Sequence, residues 1–132
     1  MNLNNYTGEN MEMEILKHND FSGAVVAYLK GVVNGESSQV FEKRILDLIA
    51  SGEKLFIFNL AQAEYLTSAA FRSLMVVGKM LKIKRGRLAI TNCNDSVKEV
   101  FKLMNFDSIF VMFETEEEAL KEIGAPSGGK FY

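Results

Sequence analysis

Two neighbouring hydroxyl side chains, Thr67 and Ser68, stand directly ahead of a long helical pattern. A hydroxyl at this position commonly caps the helix by accepting a hydrogen bond from an unpaired backbone N–H group. A phosphate added there would face the same N–H groups and the positive end of the helix dipole. The pair therefore has two interpretations, a structural cap or a site of reversible phosphorylation.

The helix that follows Ser68 has apolar side chains on more than one side. Its main stripe, at helical spacing, consists of Ala70, Leu74, Val77 and Leu81, and Phe71 widens it. Met75 and Val76 fall instead in the sector that contains Arg72 and the lysines. Apolar surface left exposed beside Ser68 is typical of a protein interface. Burial of these two side chains under a neighbouring helix is the alternative.

Other residue types that carry chemistry are isolated in the sequence. His18 has no second imidazole to work with, and Cys93 is the single cysteine. Neither residue has the partners that a zinc site or a catalytic triad requires. The glycine-rich phosphate-binding motifs of P-loop and Rossmann proteins do not occur either. We therefore expect no catalytic residue, no metal and no cofactor, and the protein is not predicted to be an enzyme.

Basic residues cluster around the end of the same helix. They are Lys79, Lys82, Lys84, Arg85 and Arg87. Cations at this end stabilise the negative end of a helix dipole by about 0.3–1 kcal/mol each. A solvated helix end is the usual meaning of such a cluster, and binding of an acidic partner is the alternative.

Length and composition indicate one ordinary globular domain. The chain has 132 residues, of which 48% are hydrophobic and 24% charged, and its formal net charge is −2. This charge does not favour nucleic-acid binding, which requires a basic patch. No apolar run reaches the roughly 20 residues that cross a bilayer, and no signal peptide is recognisable. We expect a cytoplasmic protein that binds no nucleic acid and does not insert into membranes.

Strand and helix patterns alternate along most of the chain. The predicted order is β-β-α-β-α-β-α-β-α, which is typical of a sheet whose parallel strands are joined by crossover helices. The strongest strand, Leu55–Leu60, is apolar on both faces except at Asn59, as expected for the middle of such a sheet. The first strand, residues 13–18, is expected to pair antiparallel because only a tight turn separates it from the second.

The boundaries follow from polarity and capping residues. Residues 1–12 are polar and read as a flexible leader, residues 13–123 as the folded domain, and residues 124–132 as a flexible tail. Helix starts are predicted at Ser37 or Ser38, at Ser68, at Ser96 and at Thr115.

The stretch from Leu55 to Phe113 resembles the STAS domain, the family of bacterial anti-sigma factor antagonists. The resemblance rests on the order of the elements and on three local features: the turn Thr67–Ala70 into a helix, Gly86 ahead of the next strand, and the sequence Leu103-Met104-Asn105-Phe106. It extends over residues 13–123. It implies an α/β fold, a single STAS-like domain with a mixed, mostly parallel sheet of four to five strands and about four helices.

The same resemblance implies a function as a binding module that regulates transcription by partner switching. In such proteins a serine kinase, which is also the anti-sigma factor, phosphorylates a serine in the turn, and Ser68 occupies the matching position. The unphosphorylated form would bind the kinase and release the sigma factor, and a phosphatase would reverse the modification. A monomer or weak homodimer is expected.

Several positions depart from the family pattern. Its turn aspartate is replaced by Thr67, its other nearby aspartates by Asn34 and Asn59, and a commonly small residue by Arg72. The partner-binding surface is predicted to consist of Asn34, Asn59, Thr67, Ala69, Phe71, Arg72, Met75 and Val76.

A second function remains compatible with the resemblance. The protein would then be a phosphorylation-independent STAS scaffold in a signalling or lipid-transport complex. Under this alternative, Ser68→Ala and Ser68→Asp should behave alike, while Met75→Glu or Val76→Glu should abolish assembly.

Overall fold

The computed structural model describes residues 2–8, 10–18, 23–105 and 110–125. Within these residues the elements, in chain order, are β1 (Asn2–Thr7), β2 (Met11–Lys17), β3 (Val25–Val33), α1 (Gly35–Ala50), β4 (Leu55–Leu66), α2 (Ser68–Ile83), β5 (Arg87–Thr91), α3 (Asp95–Leu103), β6 (Val111–Phe113) and α4 (Glu116–Ile123).

The strands form one mixed sheet whose spatial order follows the sequence, β1-β2-β3-β4-β5-β6. The pairs β1–β2 and β2–β3 are antiparallel, whereas β3–β4, β4–β5 and β5–β6 are parallel. Each parallel pair is connected through a helix, as short connections between parallel strands require. The predicted α/β fold and the antiparallel pairing of the first predicted strand are confirmed.

The predicted flexible leader is wrong for most of its length. Residues 2–7 form β1, and Met11 at the start of β2 is only 2% exposed, so the described part of the sheet has six strands rather than four to five. Alternation in the sequence MEMEI already begins inside the supposed leader, with methionines facing the core and glutamates facing solvent. The strand β1 has an Asn-rich sequence with low strand propensity, and pairing with β2 holds it in place.

Gly124 and Ala125 continue directly from α4, and Ala125 N–H donates to the Glu122 carbonyl oxygen at 3.1 Å. The rest of the predicted tail lies outside the described residues.

Both faces of the central strand β4 are buried. Phe56, Phe58 and Leu60 pack in the larger core cluster with side chains of α1, α2 and α3. Ile57 points to the opposite face, in a smaller cluster that includes Ala119 and Ile123 of α4. This two-sided burial explains the continuous apolar run and confirms the predicted position of Leu55–Leu60 in the sheet.

Strands β3 and β4 are longer than predicted, and their extension shapes the candidate site. In the added part of β4, Ala63 and Leu66 are buried while Gln62 and Glu64 are exposed, so only every third residue faces the core, and the pairing with β3 shifts register twice along this part. Despite these shifts the two strands end together, because Val33 pairs with Leu66. Helices α1 and α2 therefore begin next to one another at the same edge of the sheet.

Candidate functional site

The ends of β3 and β4 are tied together by Thr67. Its backbone N–H donates to the Val33 carbonyl oxygen at 3.1 Å, and its Oγ1 hydroxyl donates to the same oxygen at 2.7 Å. Oγ1 also accepts a hydrogen bond from the backbone N–H of Ala70 at 3.4 Å, which makes Thr67 the N-cap of α2. One hydroxyl thus fixes the start of the helix to the neighbouring strand.

Ser68 is consequently not the cap that the sequence suggested. It is the first helical residue of α2, its side chain is exposed, and it has no hydrogen-bond partner among the described residues. Since Thr67 already satisfies the helix end, the Ser68 hydroxyl is available for chemistry that a capping hydroxyl would resist.

Thr67→Val is expected to lower the free energy of unfolding by about 1–2 kcal/mol, because it removes both the cap and the bond to Val33. Chemical denaturation measures this difference. Ser68→Ala serves as the matched control and should change stability by less than about 0.5 kcal/mol. Equal losses in the two variants would contradict the assignment of the cap.

Asn34 caps the neighbouring helix α1. Its Oδ1 accepts from Ser37 N–H at 3.0 Å, while its own N–H donates to Ser37 Oγ at 2.9 Å. The predicted helix start at Ser37 or Ser38 is therefore wrong, because both serines lie inside the helix. The half-buried Asn34 reaches the edge near Ser68 as predicted, but its side chain oxygen is committed to the cap.

A buried polar contact fixes α1 and α2 to each other. Ser73 is 4% exposed, and its hydroxyl donates to Glu42 Oε1 at 2.9 Å, with the Ser38 carbonyl oxygen at 3.2 Å as a second acceptor. This contact holds the N-terminal halves of the two helices in a fixed relation.

The predicted partner-facing residues of α2 divide into surface and core. Arg72 is exposed, and Ala69, Met75 and Val76 are half-buried. Phe71 is only 5% exposed, and its ring packs edge-to-face on Phe101 with 5.2 Å between centroids. The prediction that Phe71 faces a partner is wrong, because the residue belongs to the core stripe of the helix.

Asn59 is not brought near Ser68. It lies in the middle of β4, which continues for seven residues beyond it, roughly 23 Å of extended chain. Its Nδ2 donates to Glu116 Oε1 at 3.0 Å, and its Oδ1 accepts from Ala61 N–H at 2.9 Å. The residue links the sheet to the start of α4.

Tyr28 completes this polar contact from the adjacent strand. Its hydroxyl donates to Glu116 Oε2 at 3.0 Å. Burial and the hydrogen bond to the Glu116 carboxylate raise the pKa of Tyr28 well above its usual range, so the phenol remains a donor.

Sequence reasoning missed Tyr65 as a surface residue of the site. It precedes Ser68 by three positions at the end of β4 and is 62% exposed, one of the most exposed large hydrophobic side chains in the described residues. Residues 61–66 read as a loop because buried residues recur there only at every third position, Ala63 and Leu66, which is not the alternation of a regular strand. Exposed tyrosine is enriched in protein interfaces.

The sequence model of the STAS domain matches residues 12–119, which is most of the chain. This chain belongs to the STAS domain family. A relative from Bordetella bronchiseptica, BtrV, is 31% identical over 97 residues, spanning 74% of this chain and 84% of the relative. Its name assigns it to the anti-sigma factor antagonists.

Solved structures show the same fold. An anti-sigma factor antagonist from Mycobacterium paratuberculosis superposes with a TM-score of 0.75 at 18% identity, covering 86% of this chain and 93% of that one. The unphosphorylated form of the anti-sigma factor antagonist SpoIIAA superposes with a TM-score of 0.67 at 21% identity, covering 81% and 94%. The phosphorylated Bacillus SpoIIAA gives 0.66 at 19% identity, covering 81% and 96%.

The remaining reactive residues of this STAS domain lie apart from Ser68 in sequence and structure. His18 Nε2 lies 3.9 Å from Glu116 Oε2, beside the Tyr28 contact. Among the described residues no group of three metal-ligating side chains occurs, and no helix is long and apolar enough to span a membrane. From the basic cluster, Arg87 Nη1 donates to the Ile123 and Ala125 carbonyl oxygens at 2.7 and 2.8 Å, so it closes the end of α4 rather than that of α2.

Cys93 is a poor nucleophile in this environment. Burial raises the pKa of its thiol to about 12, with Lys98 lowering it and Glu114 raising it further. We expect slow reaction with thiol reagents at pH 8, because the thiolate is the reactive form. Labelling kinetics compared with the urea-unfolded protein measure this effect.

The same shift predicts a loss of stability at alkaline pH. The folded pKa lies above the unfolded value of about 9, so the stabilisation is present below pH 9 and is lost as pH rises towards 12. Between pH 8 and pH 10.5 the free energy of unfolding should decrease in both proteins. The decrease should be about 1–2 kcal/mol smaller in Cys93→Ala than in the unmodified protein. The raised pKa of Tyr28 acts in the same direction above about pH 10 and stays in both proteins. Identical pH dependence in the two proteins would contradict the buried thiol.

Proposed function

We propose that this STAS domain is a non-enzymatic anti-sigma factor antagonist that works by partner switching, with Ser68 as the phosphorylated residue. Its partners would be a serine kinase that is also the anti-sigma factor, and a phosphatase. The observation that carries the proposal is the state of Ser68, an exposed hydroxyl that takes no part in capping because Thr67 performs that task. A kinase can therefore modify Ser68 without first undoing the start of α2.

The charge around Ser68 also supports a modifiable site. The first turn of α2 contains no acidic residue. Thr67 and Asn34, which stand where the family pattern has aspartates, are neutral. A phosphate carrying nearly two negative charges would meet less repulsion here than beside carboxylates.

The relatives support the same class of activity. BtrV bears the name of an anti-sigma factor antagonist, and SpoIIAA has been solved in unphosphorylated and phosphorylated forms. We infer that this chain exchanges between partners according to its state of phosphorylation. In the unphosphorylated state, Tyr65 and the half-buried Met75 and Val76 would contact the kinase, and phosphate within that contact would favour dissociation because the charge must be desolvated.

Phosphorylation of the purified protein by its cognate kinase with ATP tests the proposal. We expect a single phosphate, mapped to Ser68 by mass spectrometry, and no incorporation into Ser68→Ala. The control Ser96→Ala changes another exposed serine at the first turn of a helix, α3, and should be phosphorylated as the unmodified protein is. Phosphate found on Ser96, on Thr67 or on no residue would overturn the assignment of Ser68.

A further inference from the structure

Arg72 follows Ser68 by four residues on α2, and both side chains are exposed. The Arg72 guanidinium forms no hydrogen bond or ion pair with any other described residue. The Arg72 guanidinium and the Ser68 hydroxyl thus lie on one helix, and neither has a hydrogen-bond or ion-pair partner among the described residues.

Helix geometry brings the two side chains together. Residues four apart lie on the same face with about 5–6 Å between their Cβ atoms. Side chains in a helix lean towards its N-terminus, so a long side chain at position 72 extends over the turn that begins at Ser68. An arginine placed four residues before the serine would lean away from it, and the observed order is the productive one.

We propose that Arg72 receives the phosphate on Ser68 within the same molecule, its guanidinium donating hydrogen bonds to the phosphate oxygens. This inference rests on the proposed function of Ser68. Guanidinium is the side-chain group best suited to the contact, because its planar N–H fork pairs with two phosphate oxygens at once.

The contact changes the charge on the surface that a partner would bind. Phosphorylation adds about 1.5 to 2 negative charges at neutral pH, and Arg72 offsets about one of them. The arginine that was extended into solvent becomes ordered over the first turn of the helix. Modification of Ser68 would then both add an anion to the exposed face of α2 and engage a cation that was free on it, beside the half-buried Met75 and Val76.

Phosphoserine encoded at position 68 of the full chain tests this contact without any kinase. Phosphorus NMR at low ionic strength measures the second pKa of the phosphate in two phosphoserine proteins, one that retains Arg72 and one that carries Arg72→Gln. We expect the phosphate pKa to be lower by about 0.15–0.4 unit when Arg72 is present. The difference should shrink in high salt, because surface charges are then screened.

Lys79→Gln is the matched control, since it removes one exposed positive charge from the same helix at about 16 Å along the axis from Ser68. It should leave the phosphate pKa unchanged. An equal shift in both variants, or none in Arg72→Gln, would overturn the role of Arg72. A kinase that fails to modify Ser68 would instead contradict the proposed function, and the NMR result would still stand.

Discussion

Phe71→Ala is expected to lower the free energy of unfolding by about 3–5 kcal/mol, the range for removing a buried aromatic ring from a packed core. The ring is 5% exposed and packs on Phe101, which itself contacts Phe110 with 5.8 Å between centroids. Loss of the ring leaves a cavity between α2 and α3 that neighbouring side chains fill only partly. Urea unfolding with an unchanged m-value would establish that stability alone has changed.

Arg72→Ala provides the adjacent comparison. The side chain is exposed and forms no hydrogen bond or ion pair with other described residues that an alanine would lose. Stability should stay within about 0.5 kcal/mol of the unmodified protein. Similar losses in both variants would contradict the division of α2 into a core face at Phe71 and a surface face at Arg72.

Glu116→Ala is expected to cost about 2–3 kcal/mol, because the Glu116 carboxylate accepts hydrogen bonds from both Tyr28 and Asn59. Its side chain is 22% exposed, so water offsets part of the loss. The effect should fall in Tyr28→Phe and Asn59→Leu backgrounds, where one donor is already absent. A double-mutant cycle by chemical denaturation measures that coupling.

Glu117→Ala separates the hydrogen bonds from the helix dipole. Both glutamates lie in the first turn of α4 and interact similarly with its positive end. Glu117 is exposed and has no hydrogen-bond partner in the described ranges, so its loss should cost less than about 0.5 kcal/mol. If Glu117→Ala were as destabilising as Glu116→Ala, the Tyr28 and Asn59 contacts would carry no net stability.

The central architecture could be predicted from the sequence because several independent patterns there indicate the same elements. Leu55–Leu60 is apolar on both faces, and the structure buries it between two core clusters. Thr115 was predicted as a helix start from its capping-box spacing, and it caps α4 through the Glu118 N–H. Local pattern and tertiary packing agree at these positions, so either suffices for a correct prediction.

The missed elements are those whose stability comes from pairing rather than from an apolar stripe. The strand β1 is held by backbone bonds to β2, and Arg44 adds a contact to the Asn5 carbonyl oxygen at 3.2 Å. The sequence of such a strand has no side-chain periodicity from which the strand could be predicted. The extension of β4 was missed for a related reason, because its exposed polar residues resemble those of a loop.

At the candidate site, sequence reasoning placed Asn34, Thr67, Ser68 and Arg72 near one edge, and the structure brings them there. It could not assign the cap between two adjacent hydroxyls, since the choice depends on the Val33 carbonyl across the sheet. It also grouped Asn59 with Ser68, because the length of β4 beyond Asn59 was not visible in the hydrophobic pattern.

The most direct test of partner switching at Ser68 is the affinity of the protein for its cognate anti-sigma kinase. We expect Ser68→Asp to bind at least tenfold more weakly than the unmodified protein, and Ser68→Ala to bind as the unmodified protein does. The physical reason is that a charge on this exposed residue must be desolvated in the complex. Equal affinity of Ser68→Asp and Ser68→Ala would contradict the switch and favour the phosphorylation-independent scaffold.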